Sequence, residues 1–389
     1  KMKNFIFENK TRVYFGKGCV QEFLASLLNG YQTVMFAYGC GSIKKNGIYD
    51  QILYILQREG KNIVEFSGIK PGPTYEKVLE GIRLAREKKA ELILAVGGGS
   101  VMDCCKAVSL GAVYGGDLWR DFWERNGIVD FSPIPLGVVV TTGGSGSECN
   151  GFSILTNEKT RIKKGQNYEK CSPGFALIDP SYTFSESKQQ MISGAVAALS
   201  HVMEIYFSQP DEDNVSDDIA EALMKSLIRN MRNAWKAPQD YEAKSNLLWA
   251  SAMAKNRVIK AGKRGDFLCC QIEQELEAYT GCPHGLDCAI LRPAYYRRIC
   301  KEHPDQFARF AVNVWGIPAD GKTKTELARE GVEAFADLIQ EFGLPQRLQE
   351  FGLENTEVIK RIAGECASSA GSYRGLERRE IEALLRECC

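Results

Sequence analysis

Apolar positions follow two different rhythms along the chain. Up to about residue 180 they gather in short continuous runs: TVMFAY (33–38), NIVEF (62–66), ELILAV (91–96), PLGVVVTT (135–142) and FALIDP (175–180). The first three are followed by stretches with apolar residues at helical spacing, IKKNGIYDQILYILQREG (43–60), 74–88 and 101–112. Short apolar runs between amphipathic helices predict buried parallel strands in an α/β layer. From about 186 onward the three- and four-residue period dominates, as in DIAEALMKSLIRNMRNAW (218–235) and TELAREGVEAFADLIQEFG (325–343). The change of rhythm falls between Pro180 and Ser187. It predicts an α/β N-terminal domain over 1–185 and an all-α C-terminal domain over 186–389. No internal repeat or low-complexity segment interrupts them.

Composition narrows the class. The chain has 389 residues, 44% of them hydrophobic, which is enough for two cores. Lys plus Arg and Asp plus Glu both number 49, so the basic excess of a nucleic-acid binder is missing. RNMRNAWK (229–236) reads as a solvated helix face. No stretch approaches the roughly 20 apolar residues of a membrane helix, and the opening KMKNFIFENK has no apolar signal region. These features predict a soluble, cytoplasmic protein with a small-molecule substrate, no nucleic-acid partner and no membrane. Among 14 cysteines there is no C-x-x-C, so reduced, mostly buried thiols are expected rather than a disulfide framework. There are only three histidines, His201, His284 and His303. His303, in KEHPDQF, reads as a surface residue.

Candidate chemistry begins at ELILAVGGGSVMDCCKA (91–107). An apolar strand enters Gly97, Gly98, Gly99 and Ser100, and a helix follows carrying Asp103 and Lys106. Glycines let backbone approach a ligand closely, and free N–H groups at the helix start attract a diphosphate. A tight turn without ligand is the plain alternative. The spacing is neither a Rossmann G-x-G-x-x-G nor a Walker motif. A second loop, TTGGSGSECNG (141–151), follows another apolar strand and lines a dinucleotide or forms a polar turn. After TVMFAY stands Gly39-Cys40-Gly41-Ser42, with no carboxylate for a ribose 2′-hydroxyl and with Lys44 and Lys45 close behind. NADP(H) is therefore favoured over NAD(H).

GGGSVMDCCKA resembles the G-G-G-S-x-x-D-x-x-K-A segment of iron-containing (group III) alcohol dehydrogenases. The likeness spans the chain through FIFENKTRVYFGKG, YGCGSIKKNGIYDQI, TGGSGSECNGFSILTNE, ALIDPSYTF, HVMEIY, PHGLDCAILRPAYY, RFAVNVWGI and FGLPQRL, and is strongest to butanol dehydrogenase-like aldehyde reductases. The resemblance implies the dehydroquinate synthase-like fold, a dinucleotide domain and a helical domain with the active site in the cleft between them, and a homodimer. It implies cofactor contacts at Gly41, Ser42, Gly97, Gly98, Gly99, Ser100, Asp103, Thr141, Thr142, Ser145 and Lys163, with Asp103 helping to fix the nicotinamide.

The implied metal site departs from the family. The family holds one divalent ion with an aspartate, a histidine four residues later and two further histidines. In SGAVAALSHVMEIY the histidine is His201, but Ala197 replaces the aspartate. The last histidine is His284, Cys270 replaces the one fourteen residues earlier, and Gln274 replaces a further family histidine one turn on. Three readings stay open: His201, Cys270 and His284 hold zinc or iron, with Cys269, Cys282 or Glu204 as a further contact; no metal binds and other donors serve; or catalysis is lost. A bound ion would act as a Lewis acid on the carbonyl oxygen. Phe152 stands where the subgroup has a second glycine, and is expected to narrow the substrate pocket or give it an apolar wall. The expected activity is hydride transfer between NAD(P)H and an aldehyde, ketone, alcohol or related electrophile, with His201, Cys270, Gln274 and His284 at the reaction site. The alternatives are a lyase on the same fold and a dinucleotide-binding subunit without turnover.

Overall fold

The computed structural model describes residues 2–366, 373 and 375–389. Its strands are β1 (Arg12–Phe15), β2 (Thr33–Tyr38), β3 (Asn62–Phe66), β4 (Leu92–Gly97), β5 (Leu136–Val140), β6 (Phe152–Asn157), β7 (Ile162–Asn167) and β8 (Phe175–Ile178). The helices among them are α1 (Cys19–Leu27), α2 (Ser42–Lys45), α3 (Ile48–Arg58), α4 (Tyr75–Glu87) and α5 (Gly99–Val113). The later helices are α6 (Lys188–Tyr206), α7 (Val215–Lys236), α8 (Tyr241–Lys255), α9 (Leu268–Thr280), α10 (His284–Ile299), α11 (Pro304–Asn313), α12 (Lys324–Glu341), α13 (Thr356–Cys366) and α14 (Arg378–Glu387).

The chain divides into two compact units. One comprises Glu8–Ser187 with Ala237–Asn256; the other comprises the opening residues through Phe7, Lys188–Lys236 and Arg257–Cys389. The crossing at Ser187–Lys188 lies two residues from the expected cut at 185–186. A single cut does not describe the rest, because α8 returns to the α/β unit, where the Ser251 hydroxyl accepts from Gly144 N at 3.0 Å.

The α/β unit is built on one six-stranded sheet in the order β1-β8-β5-β4-β2-β3, with every pairing parallel. The strands with apolar runs are buried on both faces. Met35, Ala37, Ile93, Ala95 and Val138 pack with α4 and α5. Val34, Phe36, Leu94, Val96 and Val139 pack with α1 and α3. From β2 the chain steps outward to β3, then returns past it to β4, β5 and β8. The direction therefore reverses between β2 and β4, and in an open α/β sheet ligands bind at the carboxyl ends of the strands flanking that switch.

Three elements go beyond the expected set. The stretch 43–60 is two helices, broken where Gly47 takes φ +80°. β1 lies in a polar-rich opening segment and gains its place only by pairing with β8. The antiparallel hairpin β6–β7 carries lysine, glycine and glutamine on β7, so its period is weak.

In the helical unit α6 is buried along most of its length, and α10 packs against both α6 and α9. These three helices carry His201, Cys270 and His284. No helix among the described residues is long and apolar enough to cross a membrane.

Candidate functional site

The glycine-rich turns sit at the carboxyl ends of β2, β4 and β5, the strands around the switch. Two of them touch. A Cβ on Gly98 would lie 2.1 Å from Thr142 Oγ1, and one on Gly99 would lie 2.6 Å from Ser145 Cβ. The glycines are needed for the second loop to close over the first, and Thr141 N seals the pair by donating to Gly97 O at 3.0 Å. Ser100 Oγ accepts from Gly72 N at 3.3 Å and so anchors a neighbouring turn. Gly41, at φ +106°, turns the chain out of β2 toward the exposed Ser42. Lys163 lies on β7, paired with Thr156 of β6.

The Asp103 carboxylate accepts from Ser147 Oγ at 2.6 Å and from Ile154 N at 3.1 Å, which ties it to the second loop and the start of β6. Burial pushes its pKa up, opposed by Lys106 nearby. Lys106, 1% exposed, donates to Ser147 O, Ser147 Oγ, Asn150 Oδ1 and Phe152 O. Asp103 and Lys106 thus brace the second loop from beneath. Phe152 opens β6; its ring covers Gly165, where a Cβ would lie 2.4 Å from it, and Lys255 Nζ stands 5.6 Å from its centroid.

The sequence showed no carboxylate after β2, but the structure brings one from the next strand. Glu65 of β3 accepts from Tyr38 Oη at 2.7 Å and from Tyr49 Oη. Lys44 Nζ lies 4.5 Å from the Tyr49 ring centroid and 5.4 Å from that of Tyr38. The Tyr49 and Tyr38 hydroxyls hold the Glu65 carboxyl below its usual range, against the opposing effect of burial.

In the helical unit His201 and His284 come together, Nε2 to Nε2 at 3.3 Å, with rings 5.4 Å apart. Behind His284, Nδ1 meets Glu277 Oε1 at 2.8 Å and Asp287 Oδ1 at 3.5 Å. Burial opposes charge on this imidazole, yet its pKa lies well above the usual value. Cys288, whose own thiol burial pushes up to about 11, and Asp287 raise it. Asp287 and Cys288 stand three and four residues after His284, a helical spacing readable in PHGLDC. Glu277 comes from α9 and had no such signal.

Cys270 does not complete this pair. Its sulfur accepts from Gln274 Nε2 at 3.4 Å and groups with Glu204 and Glu273. Among the described residues, the three-residue donor groups within 4.8 Å are Glu273–His284–Cys288, Glu204–Cys270–Glu273 and Glu277–His284–Asp287. His201–Cys270–His284 is not among them, and Ala197 brings no donor. The imidazole spacing alone would suit one tetrahedral ion, since nitrogens about 2.0–2.1 Å from zinc stand about 3.3 Å apart. It equally suits an N–H···N hydrogen bond. A catalytic site needs three protein ligands, and the expected set is not assembled, so the residues present do not fit the family's ion. Cys269 and Cys282 are buried, the latter with its sulfur toward Pro283 O at 3.6 Å. His303 is half-buried and stacks on Tyr373 with centroids 4.2 Å apart.

Comparison with known proteins agrees with this architecture. Residues 10–180 match the family described as iron-containing alcohol dehydrogenase, and residues 191–389 match the C-terminal region of the Fe-containing alcohol dehydrogenase family. NADH-dependent butanol dehydrogenase A of Clostridium acetobutylicum is 33% identical, covering 99% of this chain and 100% of its own. NADPH-dependent aldehyde reductase YqhD of Escherichia coli is 32% identical, covering 92% and 91%. The crystal structure of NADH-dependent butanol dehydrogenase A from Thermotoga maritima superposes with a TM-score of 0.92 at 35% identity, covering 100% of this chain and 99% of that one. Matched in both halves and aligned with such relatives over nearly its whole length, this chain belongs to the iron-containing alcohol dehydrogenase family, in its butanol dehydrogenase-like subgroup.

Proposed function

We propose that this NAD(P)H-dependent oxidoreductase reduces small aldehydes to alcohols, with NADPH as its preferred cofactor. The observation that carries the reading is the pair of interlocked glycine turns at the switch between β2 and β4, where Gly98 and Gly99 leave no room for a side chain. The nicotinamide cofactor, held at Gly97, Gly98 and Gly99, would supply hydride to the carbonyl carbon. The oxygen takes a proton, and alcohol and oxidised cofactor result. His201 and His284 supply the hydrogen-bond donor at that oxygen, and Glu277 behind His284 fixes which ring nitrogen faces forward. Ser42 and Lys44 support a 2′-phosphate, and Glu65 is held by two tyrosine hydroxyls and so withdrawn from a ribose.

Tryptophan-quenching titrations with NADPH and NADH test the cofactor reading, with turnover of butanal as the companion assay. NADPH is expected to bind about tenfold more tightly, and Lys44→Met to remove most of that difference. Equal affinities would overturn the preference. Cofactor binding with no turnover on any aldehyde would favour a binding subunit, a reading supported by Ala197 in place of an acid. We further propose a cytoplasmic homodimer: every cysteine is a free thiol, and an apolar arm at Phe5–Phe7 lies exposed on the single chain.

A further inference from the structure

Arg292 lies on α10, two turns after His284, in an otherwise mainly apolar run, and is 1% exposed. A buried guanidinium needs partners, and this one has them on three helices. Nε and Nη2 donate to the two carboxylate oxygens of Glu273 on α9, at 2.8 and 2.7 Å. Nη2 also donates to Glu204 Oε1 on α6, at 2.5 Å. Nη1 donates to Ser200 O and Tyr296 Oη, both at 3.2 Å. Ser200 precedes His201, Glu204 stands one turn after it, and Glu273 stands one turn after Cys270. One side chain therefore ties the turns bearing His201 and Cys270 to the helix bearing His284.

The same carboxylates belong to a donor group. Glu204, Cys270 and Glu273 each bring a ligand atom within 4.8 Å of the others, and two carboxylates with a thiol could bind a divalent ion. Arg292 Nη2 bridges both carboxylates. Its fork occupies both oxygens of Glu273, and the guanidinium cannot shed its proton to admit a second cation.

We propose that Arg292 performs the organising role of a divalent ion: a built-in cation that holds α6, α9 and α10 in register and closes the Glu204–Cys270–Glu273 donors to metal. Arg292 is a positioning residue, and this inference rests on the reading that His201 and His284 form the reaction end.

The test is anaerobic titration of the full-length protein and Arg292→Met with Co(II), following the thiolate-to-cobalt band in the near ultraviolet and the melting temperature. The wild-type protein is expected to show neither band nor shift, and to keep its butanal reductase activity after chelator treatment. Arg292→Met is expected to take up cobalt with a thiolate band that disappears in Arg292→Met/Cys270→Ser. Stoichiometric thiolate-bound cobalt in the wild-type protein would overturn the proposal, as would a folded Arg292→Met that binds none. Should Arg292→Met fold only with cobalt present, that rescue supports the same conclusion.

Arg292→Lys keeps the charge but loses the fork. It is expected to fold, to lower kcat for butanal by about tenfold and to leave NADPH affinity unchanged. Unchanged kcat would reduce Arg292 to packing. Failure of the wild-type protein to bind either NADPH or NADH would overturn the reductase reading, while the cobalt result would still decide whether Arg292 excludes metal.

Discussion

Lys106 is buried where an ammonium would ordinarily be destabilising, and four hydrogen bonds replace its water. Burial still draws its pKa from 10.5 down to about 8. Between those values the unfolded chain holds a proton that the folded one has released, so this group makes stability rise with pH from about 8 to 10.5. Lys106→Met should abolish that rise. It should also cost about 3–5 kcal/mol in urea unfolding near neutral pH, because Asp103 loses its neighbouring cation and Ser147 O and Phe152 O lose their donor. A cost well under 1 kcal/mol would refute the bracing role. Gly98→Ala should cost about 1–3 kcal/mol through the clash with Thr142 Oγ1 and weaken NADPH about tenfold. Thr142→Ala in the same chain should restore part of both, as read by denaturation and fluorescence titration. The glycines were legible because phosphate-binding turns have a local signature. The partner that makes Gly98 obligatory, Thr142, lies in the loop after β5 and was not.

At the scale of elements, α9 joins the candidate site to the outer helices. Its Cys270 and Glu273 face α6 and α10, while Glu275 meets Glu365 of α13. Burial, then the hydrogen bond to Glu365, raises Glu275 from 4.5 to about 8. A carboxyl whose folded-state pKa is raised stabilises the fold fully below about 4.5 and loses that contribution as pH climbs through about 8. Melting temperature should therefore fall from pH 5 to pH 9 more steeply in the natural sequence than in Glu275→Gln. The substitution should gain about 1 kcal/mol at the alkaline end, a modest amount because solvent screens the pair. Parallel pH profiles would exclude the carboxyl pair as the cause. The helical period revealed that α9 exists, but not which neighbour each face meets.

At the scale of the whole molecule, the opening arm stands out. Ile6 is 88% exposed, with Phe5 and Phe7 near one half, just ahead of β1, an edge strand paired only with β8 among the described residues. Exposed apolar chain is a template for association, and so is an open strand edge. Ile6→Lys should weaken the proposed dimer about tenfold in sedimentation equilibrium. A natural-sequence chain that is already monomeric at micromolar concentration would remove the dimer reading.

Periodicity and turn chemistry are local, so the sequence by itself determined the buried strands, the change to helices after residue 180 and the glycine turns. It also determined the family, because quoted motifs keep their order over the whole chain. Tertiary structure alone decided what depends on partners distant in sequence: that α8 joins the sheet unit, that Glu65 is captured by Tyr38 and Tyr49, and that Asp103 serves a loop. It also decided the fate of the candidate metal donors. Helical spacing could place Cys270 one turn before Glu273, but only the packing of α6, α9 and α10 brings both Glu204 and Glu273 to Arg292. A buried charge is stable only beside its opposite, and that neighbour comes from another helix.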